Sequence, residues 1–476
     1  MATSVLRSEP CGARAPRRLV EESSLSVEVV LFAGLFLASL GLLGITVYRL
    51  LAWPDELSGQ FGAHGVVTAT AVLFAVVATF NSLRWCLFVG LSFAARCRRR
   101  RRGRRDLVHC PYVSIFVPCF NEGQTIEPAL DSLLELDYPS YEIIVVDDGS
   151  TDDTFAKASL FEGRHGGVSV RVFRKPNGGK WSALNYAFRR SIGELVLCVD
   201  ADSRLGADTL WRLMLHMEDP RVSAVAGQIR VRNREKLLTR LQALEYQMGN
   251  GAVRTGQGFL HTLLVVPGPA GLFRRCVLEE VFRRYSREVA ADGPGSVSGP
   301  YEGDTFAEDF DLSLTILSLG GRIAYEPEGI SYTKAPDRAF TLISQRYRWI
   351  RGSFQVLRKF LARSRRDPGS ASGRVLAWLA ITYLIDFTIA PVIYLLGLVL
   401  SLSTLAVAGA PLHLAGWLLA FLLVELSAAA LFLSIHKDSQ RLLAVVPLLH
   451  FYNGLLLNSA WVISVLDELR GSRMRW

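Results

Sequence analysis

An α/β domain with a mainly parallel sheet, flanked by apolar segments that span a membrane, is the fold class this sequence predicts. Three observations carry that expectation. Between residues 106 and 370, short apolar runs alternate with amphipathic stretches, the pattern of strands joined by right-handed crossover helices. The run Leu195-Val196-Leu197-Cys198-Val199 reads as a strand buried on both faces, and it ends in Asp200-Ala201-Asp202. Long, nearly uncharged stretches lie on either side of the domain, 50% of residues are hydrophobic, and mean hydropathy is +0.25.

Taken in order, residues 1–24 are a polar tail. Residues 27–51 and 66–95 are each long enough to cross a bilayer, which takes about 20 helical residues. The arginines at 96, 98–102, 104 and 105 follow directly. A basic run beside an apolar span obeys the positive-inside rule, so it places the next domain in the cytosol and argues against nucleic acid as a partner. Within the domain, strands are expected at 113–118, 143–146 and 168–173. Helices are expected at 125–136, 152–161 and 181–190. The Gly/Ser/Pro-rich stretch 291–303 reads as a flexible surface loop. About three more spans are expected at 375–405, 412–435 and 442–465, before a basic tail at 467–476; three crossings would set that tail outside, so either the positive-inside rule fails there or one segment is re-entrant. The boundaries are therefore 1–24, 25–96, 106–370, 375–466 and 467–476. The seven cysteines are scattered without a Cys-x-x-Cys pair, which excludes a zinc site of that spacing and suggests a reduced compartment.

The polar residues that carry chemistry gather at the expected strand ends. Open α/β sheets bind ligands there. Asp200 and Asp202 are two apart, so in extended backbone they face one side and suit a hard divalent cation. An Asp-rich turn is the structural alternative. Asp147-Asp148-Gly149-Ser150 ends another strand; it either accepts hydrogen bonds from a base or ribose or caps the next helix through Asp152. Phe120 and Glu122 lie in a second loop on the same edge, suited to flank a base and take a ribose hydroxyl, or simply the start of the next helix. Lys180 follows a Gly-Gly pair and is placed to reach a phosphate, or is simply solvated. Glu308 and Asp309 open a helix. They complement its dipole, or Asp309 serves as a general base. Gln345, Arg348 and Trp349 share one helical face. Their amide, guanidinium and indole suit a sugar-phosphate. The other reading is an amphipathic helix lying on the membrane, with Arg346, Arg351, Arg358 and Lys359 towards headgroups.

In this order, Asp147-Asp148-Gly149, Asp200-Ala201-Asp202, Ala307-Glu308-Asp309 and Gln345-x-x-Arg348-Trp349 resemble the motif set of membrane-embedded family 2 glycosyltransferases. That group includes cellulose, chitin, hyaluronan and poly-N-acetylglucosamine synthases. The likeness covers residues of about 111 to 360. Residues 266–275 look most like the acceptor-side loop of the poly-N-acetylglucosamine branch, which implies that Gly268 and Ala270 meet the acceptor. Ala307 departs from the Thr or Gly of several members, and 291–303 looks like an insertion.

The resemblance implies a glycosyltransferase A-type fold and an inverting transfer from a UDP-sugar, UDP-N-acetylglucosamine first. The acceptor would be a growing β-linked polysaccharide, moved across the bilayer as it grows. It implies Asp309 as base beside Glu308, and Glu122, Asp147, Asp148, Lys180, Asp200, Gln345 and Arg348 on the donor. Trp349 would stack on the acceptor, and Mg²⁺ or Mn²⁺ would lie near Asp200 and Asp202. It also implies a multi-pass protein, expected in a bacterial plasma membrane, with room for an accessory membrane subunit. A single transfer to a lipid, of the ceramide glucosyltransferase kind, is the alternative.

Overall fold

The computed structural model describes residues 86–97, 109–292, 298–366 and 411–472, with isolated positions elsewhere. The expected spans 27–51 and 375–405, and most of 66–95, lie outside the described residues.

Helix α1 (Cys86–Cys97) precedes the domain. The domain then runs β1 (Val113–Cys119), α2 (Ile126–Leu134), β2 (Tyr141–Asp147), α3 (Thr154–Ser159), β3 (Gly163–His165), β4 (Val168–Arg174), α4 (Lys180–Phe188) and β5 (Leu195–Cys198). It continues through β6 (Arg204–Leu205), α5 (Thr209–Met217), β7 (Val222–Val231), α6 (Leu237–Glu245), a π-helical turn at Tyr246–Ala252 and α7 (Val253–Phe259). A 3₁₀ turn at Gly268–Ala270 leads into β8 (Gly271–Arg274), followed by α8 (Arg275–Asp292), α9 (Glu308–Ser318), β9 (Arg322–Thr333) and α10 (Ala339–Arg366). Beyond it are α11 (Pro411–Ile435), a 3₁₀ turn at Gln440–Val445, α12 (Val446–Phe451), a π-helical turn at Tyr452–Leu457 and α13 (Asn458–Leu469).

One nine-stranded sheet organises the domain, in the order β3-β4-β2-β1-β5-β8-β7-β9-β6. Strands β4, β2, β1 and β5 are parallel, as expected. The other half departs from the expectation of a mainly parallel sheet. β8 runs antiparallel to both β5 and β7, β6 is antiparallel to β9, and β3 is antiparallel to β4. Strand direction follows from connections and register, which local apolar patterning does not encode.

Both faces of the parallel half are covered. Val113, Ile115, Val117, Ile143, Val145, Leu195 and Leu197 enter one apolar core, and Phe116, Ile144, Val146, Val196 and Cys198 enter the other. Successive strand residues point to opposite faces, so a strand with two cores is continuously apolar. Burying each such side chain is worth roughly 1.5–3 kcal/mol. The parallel arrangement puts the carboxyl ends of β1, β2, β4 and β5 on one edge. That edge carries Phe120 to Glu122, Asp147-Asp148, the loop to Lys180, and Asp200 to Asp202.

A third core joins β7 and α6 to α11 and the helices after it. Arginines from distant parts of the chain hold the end of α11: Arg96 donates to the Ile435 carbonyl at 2.8 Å and Arg230 to the His436 carbonyl at 2.5 Å. No single helix among the described residues is long and apolar enough to cross a membrane. Gln440–Leu449 and Tyr452–Leu469 meet that measure only as a pair bent by 56°, so the chain over the span expected at 442–465 is bent.

The surface-loop expectation for 291–303 is corrected over the described residues 298–303. Asn185 on α4 donates to the Tyr301 carbonyl at 2.7 Å and accepts from its N–H at 3.1 Å. Tyr301 is buried, with its hydroxyl 3.2 Å from Cys198 Sγ in the central strand.

Candidate active site

Lys180 is the first residue of α4 and stands at the centre of the site. Its ammonium lies 2.7 Å from Asp200 Oδ1 and 3.3 Å from Glu308 Oε1. Burial opposes its charge, but Asp200 and Glu308 outweigh that and hold the lysine protonated, its pKa well above the ordinary value. This contact brings together the end of β5, the start of α4 and the start of α9, which are 20 and 128 residues apart in sequence (200 − 180 and 308 − 180). Gly268 completes the junction. A side chain there would put Cβ 2.5 Å from Lys180 Nζ and 3.1 Å from Asp200 Oδ1, so glycine lets the 266–270 turn close over the ion pair without pushing the lysine aside. Ala270, two residues on, is buried.

Asp309 follows Glu308 in the first turn of α9. Burial, and then the charge of Glu308, raise its carboxyl from 3.8 to about 6, against the opposing pull of Lys180. A carboxylate held there is basic enough to take a proton near neutrality while remaining mostly ionised. Its Oδ1 accepts the Phe310 N–H at 2.8 Å.

Asp202 accepts from the Ser203 hydroxyl at 2.9 Å and from Thr333 Oγ1 at 3.3 Å. Burial first and Asp200 second raise its pKa. Glu122 is raised chiefly by burial, with Asp202 and Asp200 adding to it against the Thr125 hydrogen bond, so its carboxylate faces the same pocket of negative charge. Phe120 beside it is exposed. The oxygen-only pair Asp200 and Asp202, with Asp200 disfavouring the ionisation of Asp202, fits a hard divalent cation.

A second acidic group, Glu302, Asp304 and Asp311, has carboxylate oxygens within 4.8 Å of one another. It already holds its cations. Lys359 pairs with all three residues, and Arg363 pairs with Glu302 at 3.2 Å and Asp311 at 3.3 Å. We therefore assign it as an ion-pair cross-link between α9 and α10.

Asp147 and Asp148 are bound within the protein. Asp147 is fully buried, accepts the Ser150 N–H at 3.2 Å and faces the Arg174 guanidinium at 3.2 Å. Asp148 accepts the N–H groups of Gly178 at 3.2 Å and Gly179 at 2.7 Å and pairs with Lys175, so it shapes the loop that delivers Lys180. The expected N-cap at Asp152 is corrected: Asp153 precedes α3 and makes no side-chain capping bond, while Asp152 accepts the Thr154 N–H at 3.0 Å in the turn before it.

Helix α10 presents Gln345, Arg348 and Trp349. Gln345 Oε1 is buried without a hydrogen-bond partner, and Arg348 is exposed with no ion pair among the described residues. Trp349 is 44% exposed. The headgroup-facing reading of the basic residues on this helix is corrected. Arg346 and Arg351 are buried, paired with Glu245 at 2.8 Å and Glu468 at 3.1 Å. Lys359 turns into the acidic cross-link. Arg358 is the exception, exposed while it pairs with Glu468. Sequence reasoning missed Gly352. There α10 touches the Ala307 turn so closely that a Cβ would stand 2.9 Å from Ala307 Cβ. A glycine inside a long helix is the signal that points to it.

Residues 114–282 match the model of glycosyl transferase family 2. That segment is a family 2 glycosyltransferase domain. The chain is 29% identical over 246 residues to a poly-beta-1,6-N-acetyl-D-glucosamine synthase of Staphylococcus epidermidis, a match covering 52% of this chain and 55% of the relative. It is 32% identical over 249 residues to an N-acetylglucosaminyltransferase of Rhizobium sp. (strain N33), covering 52% and 53%. The chain thus spans about half the length of the curated relatives it matches. A solved mannosyltransferase from Pyrobaculum calidifontis, in complex with GDP-Man and Mn²⁺, shares the fold, with a TM-score of 0.52 and 21% identity over 84% of this chain and all of that one. The matched segment ends before Glu308 and Asp309, which enter the site from α9.

Proposed function

We propose that this protein transfers N-acetylglucosamine from UDP-N-acetylglucosamine to the end of a growing β-linked polysaccharide, with inversion at the anomeric carbon. The single observation that carries the reading is the junction of Lys180, Asp200 and Glu308 beside the raised Asp309 carboxylate. An acceptor hydroxyl oxygen forms the new bond to the anomeric carbon, the bond to UDP breaks, and Asp309 takes the hydroxyl proton. Inversion needs one displacement, hence one base and no nucleophile on the enzyme. Lys180 and Arg348 offset charge on the departing diphosphate. A divalent cation held by Asp200 and Asp202 would supply further positive charge there. The N-acetylglucosamine relatives support this sugar, and the exposed Trp349 supports an acceptor that stacks. We place the domain on the cytosolic face of a bacterial plasma membrane. The apolar segments and the basic run after the second support that placement, with export of the polymer through the bundle.

The test incubates the purified full chain in lipid nanodiscs with radiolabelled UDP-N-acetylglucosamine and Mn²⁺, then sizes the product. A polymer ladder, absent in Asp309→Asn, is expected. A monoglycosylated lipid would replace the polymer reading with a single-transfer one, and no label transfer from any UDP-sugar would overturn both.

A further inference from the structure

Trp349 lies on the surface of α10, yet its partner is buried. The Arg346 guanidinium, one turn earlier, stands 4.3 Å from the centre of the indole and 5.5 Å from that of the Tyr246 ring. Arg346 is only 6% exposed. Its Nη2 is 2.8 Å from Glu245 Oε2, and the same oxygen accepts the Tyr452 hydroxyl at 2.6 Å. A cation over an indole attracts its face, and this cation is fixed from behind by a carboxylate that is itself fixed. An exposed tryptophan left alone samples several rotamers. Here the buried Arg346 guanidinium lies against the indole. For stability alone, an apolar pair in place of Arg346 and Glu245 would often serve as well or better.

We propose that Arg346 is a positioning residue for Trp349, setting the indole plane on which an acceptor sugar stacks, with Glu245 and Tyr452 as its tether. Tyr452 opens the second half of the bent helical pair, so the acceptor platform is tied to the C-terminal helices. The inference rests on the transferase reading and assigns a role to Arg346, an unspecified position of the Gln345-x-x-Arg348-Trp349 motif, and to Glu245 and Tyr452 outside it.

The test uses the full chain, radiolabelled UDP-N-acetylglucosamine and a β-1,6-linked N-acetylglucosamine pentamer as acceptor probe. Arg346→Met is expected to raise the acceptor KM about tenfold while UDP affinity stays within about twofold. Arg346→Lys should fall between wild type and Arg346→Met. The double variant with Trp349→Ala should be no worse than Trp349→Ala alone, because the arginine acts through the indole. Losses that multiply in the double variant, or a parallel loss of UDP binding, overturn the inference. If Arg346→Met does not fold, Tyr452→Phe decides, and an unchanged acceptor KM there overturns it. A wild-type chain that transfers from no UDP-sugar removes the function itself and this role with it.

Discussion

Lys180 Nζ lies 2.7 Å from Asp200 Oδ1, and the same nitrogen is 3.3 Å from Glu308 Oε1. One lysine thus offsets two carboxylates from different elements and lowers the pKa of a third, Asp309. Lys180→Met should cut kcat about 100-fold, the loss usual when one preorganised charge is removed from a site. It should also move the acid limb of the pH profile upward, since Asp309 loses the charge that favours its ionised form. A lower rate with an unmoved limb would mean that Lys180 acts on the donor alone.

Asp309 titrates at about 6 in the folded chain against 3.8 ordinarily. The base works ionised, so kcat/KM should rise with pH through about 6 and level off above it. The stability sign is the reverse. The folded state binds this proton more tightly than the unfolded one, so the group favours folding fully below about 3.8, and that contribution is lost as pH rises through about 6. Asp309→Asn should therefore lose about 10²–10⁴-fold in kcat with no fall in Tm at pH 7. Thermal melts at pH 5 and pH 7 check this: wild type should lose stability relative to the Asp309→Asn variant on going from the lower to the higher pH.

Gly268→Ala places a methyl 2.5 Å from the end of Lys180, a flexible side chain that can move aside. Displacing the ammonium from Asp200 should reduce transfer about tenfold or more, while Tm changes by little. A wild-type rate in this variant would show that the lysine need not sit where the structure has it.

Asp202→Asn removes one oxygen of the expected cation pair. Mn²⁺ should raise the Tm of wild type and leave that of Asp202→Asn unchanged. EDTA should stop transfer reversibly. Full turnover in EDTA would take the cation out of the reaction.

The parallel half of the sheet was legible because strands buried on both faces leave continuous apolar runs, as in Leu195–Cys198, and the acidic residues follow at their ends. The mixed half, where β7 and β9 pair in parallel but β8 and β6 run against their neighbours, was not. β6 is two residues long, and β8 reverses direction through pairing with β5, which no local pattern announces. The site was legible as a set of residue types, and the structure joins Lys180, Asp200, Glu308 and Gly268 as neighbours. What stayed hidden is what each helix face meets. Periodicity put Arg346 and Lys359 on the outside of α10, whereas Glu245 and Asp311, 101 and 48 residues away, draw them in. Asp147 and Asp148 close β2 as read from the sequence; what the sequence did not give is their partners within the fold, Arg174 for Asp147 and Lys175 with Gly178 and Gly179 for Asp148.

The last prediction concerns how α10 meets the catalytic turn. At Gly352 an added Cβ would stand 2.9 Å from Ala307 Cβ and 3.0 Å from both Ala307 N and Phe306 C. Two of those three atoms are backbone, so neither can swing away as a side chain would. Gln355, one turn further on, accepts the Phe306 N–H at 3.1 Å and fixes the same approach. Gly352→Val must push the helix off the turn or shift the turn itself. Overpacking of this kind costs about 1–3 kcal/mol, partly offset because glycine in a helix interior is itself unfavourable by roughly 1 kcal/mol. The modest fall in Tm should come with a disproportionate loss of transfer, because Glu308 and Asp309 follow Ala307 directly and Trp349 lies one turn before Gly352. Gly352→Ala should show the same imbalance more weakly. Equal, small effects on Tm and kcat in both variants would mean that the helix relaxes along its length and that its contact with the Ala307 turn does not set the distance between base and acceptor.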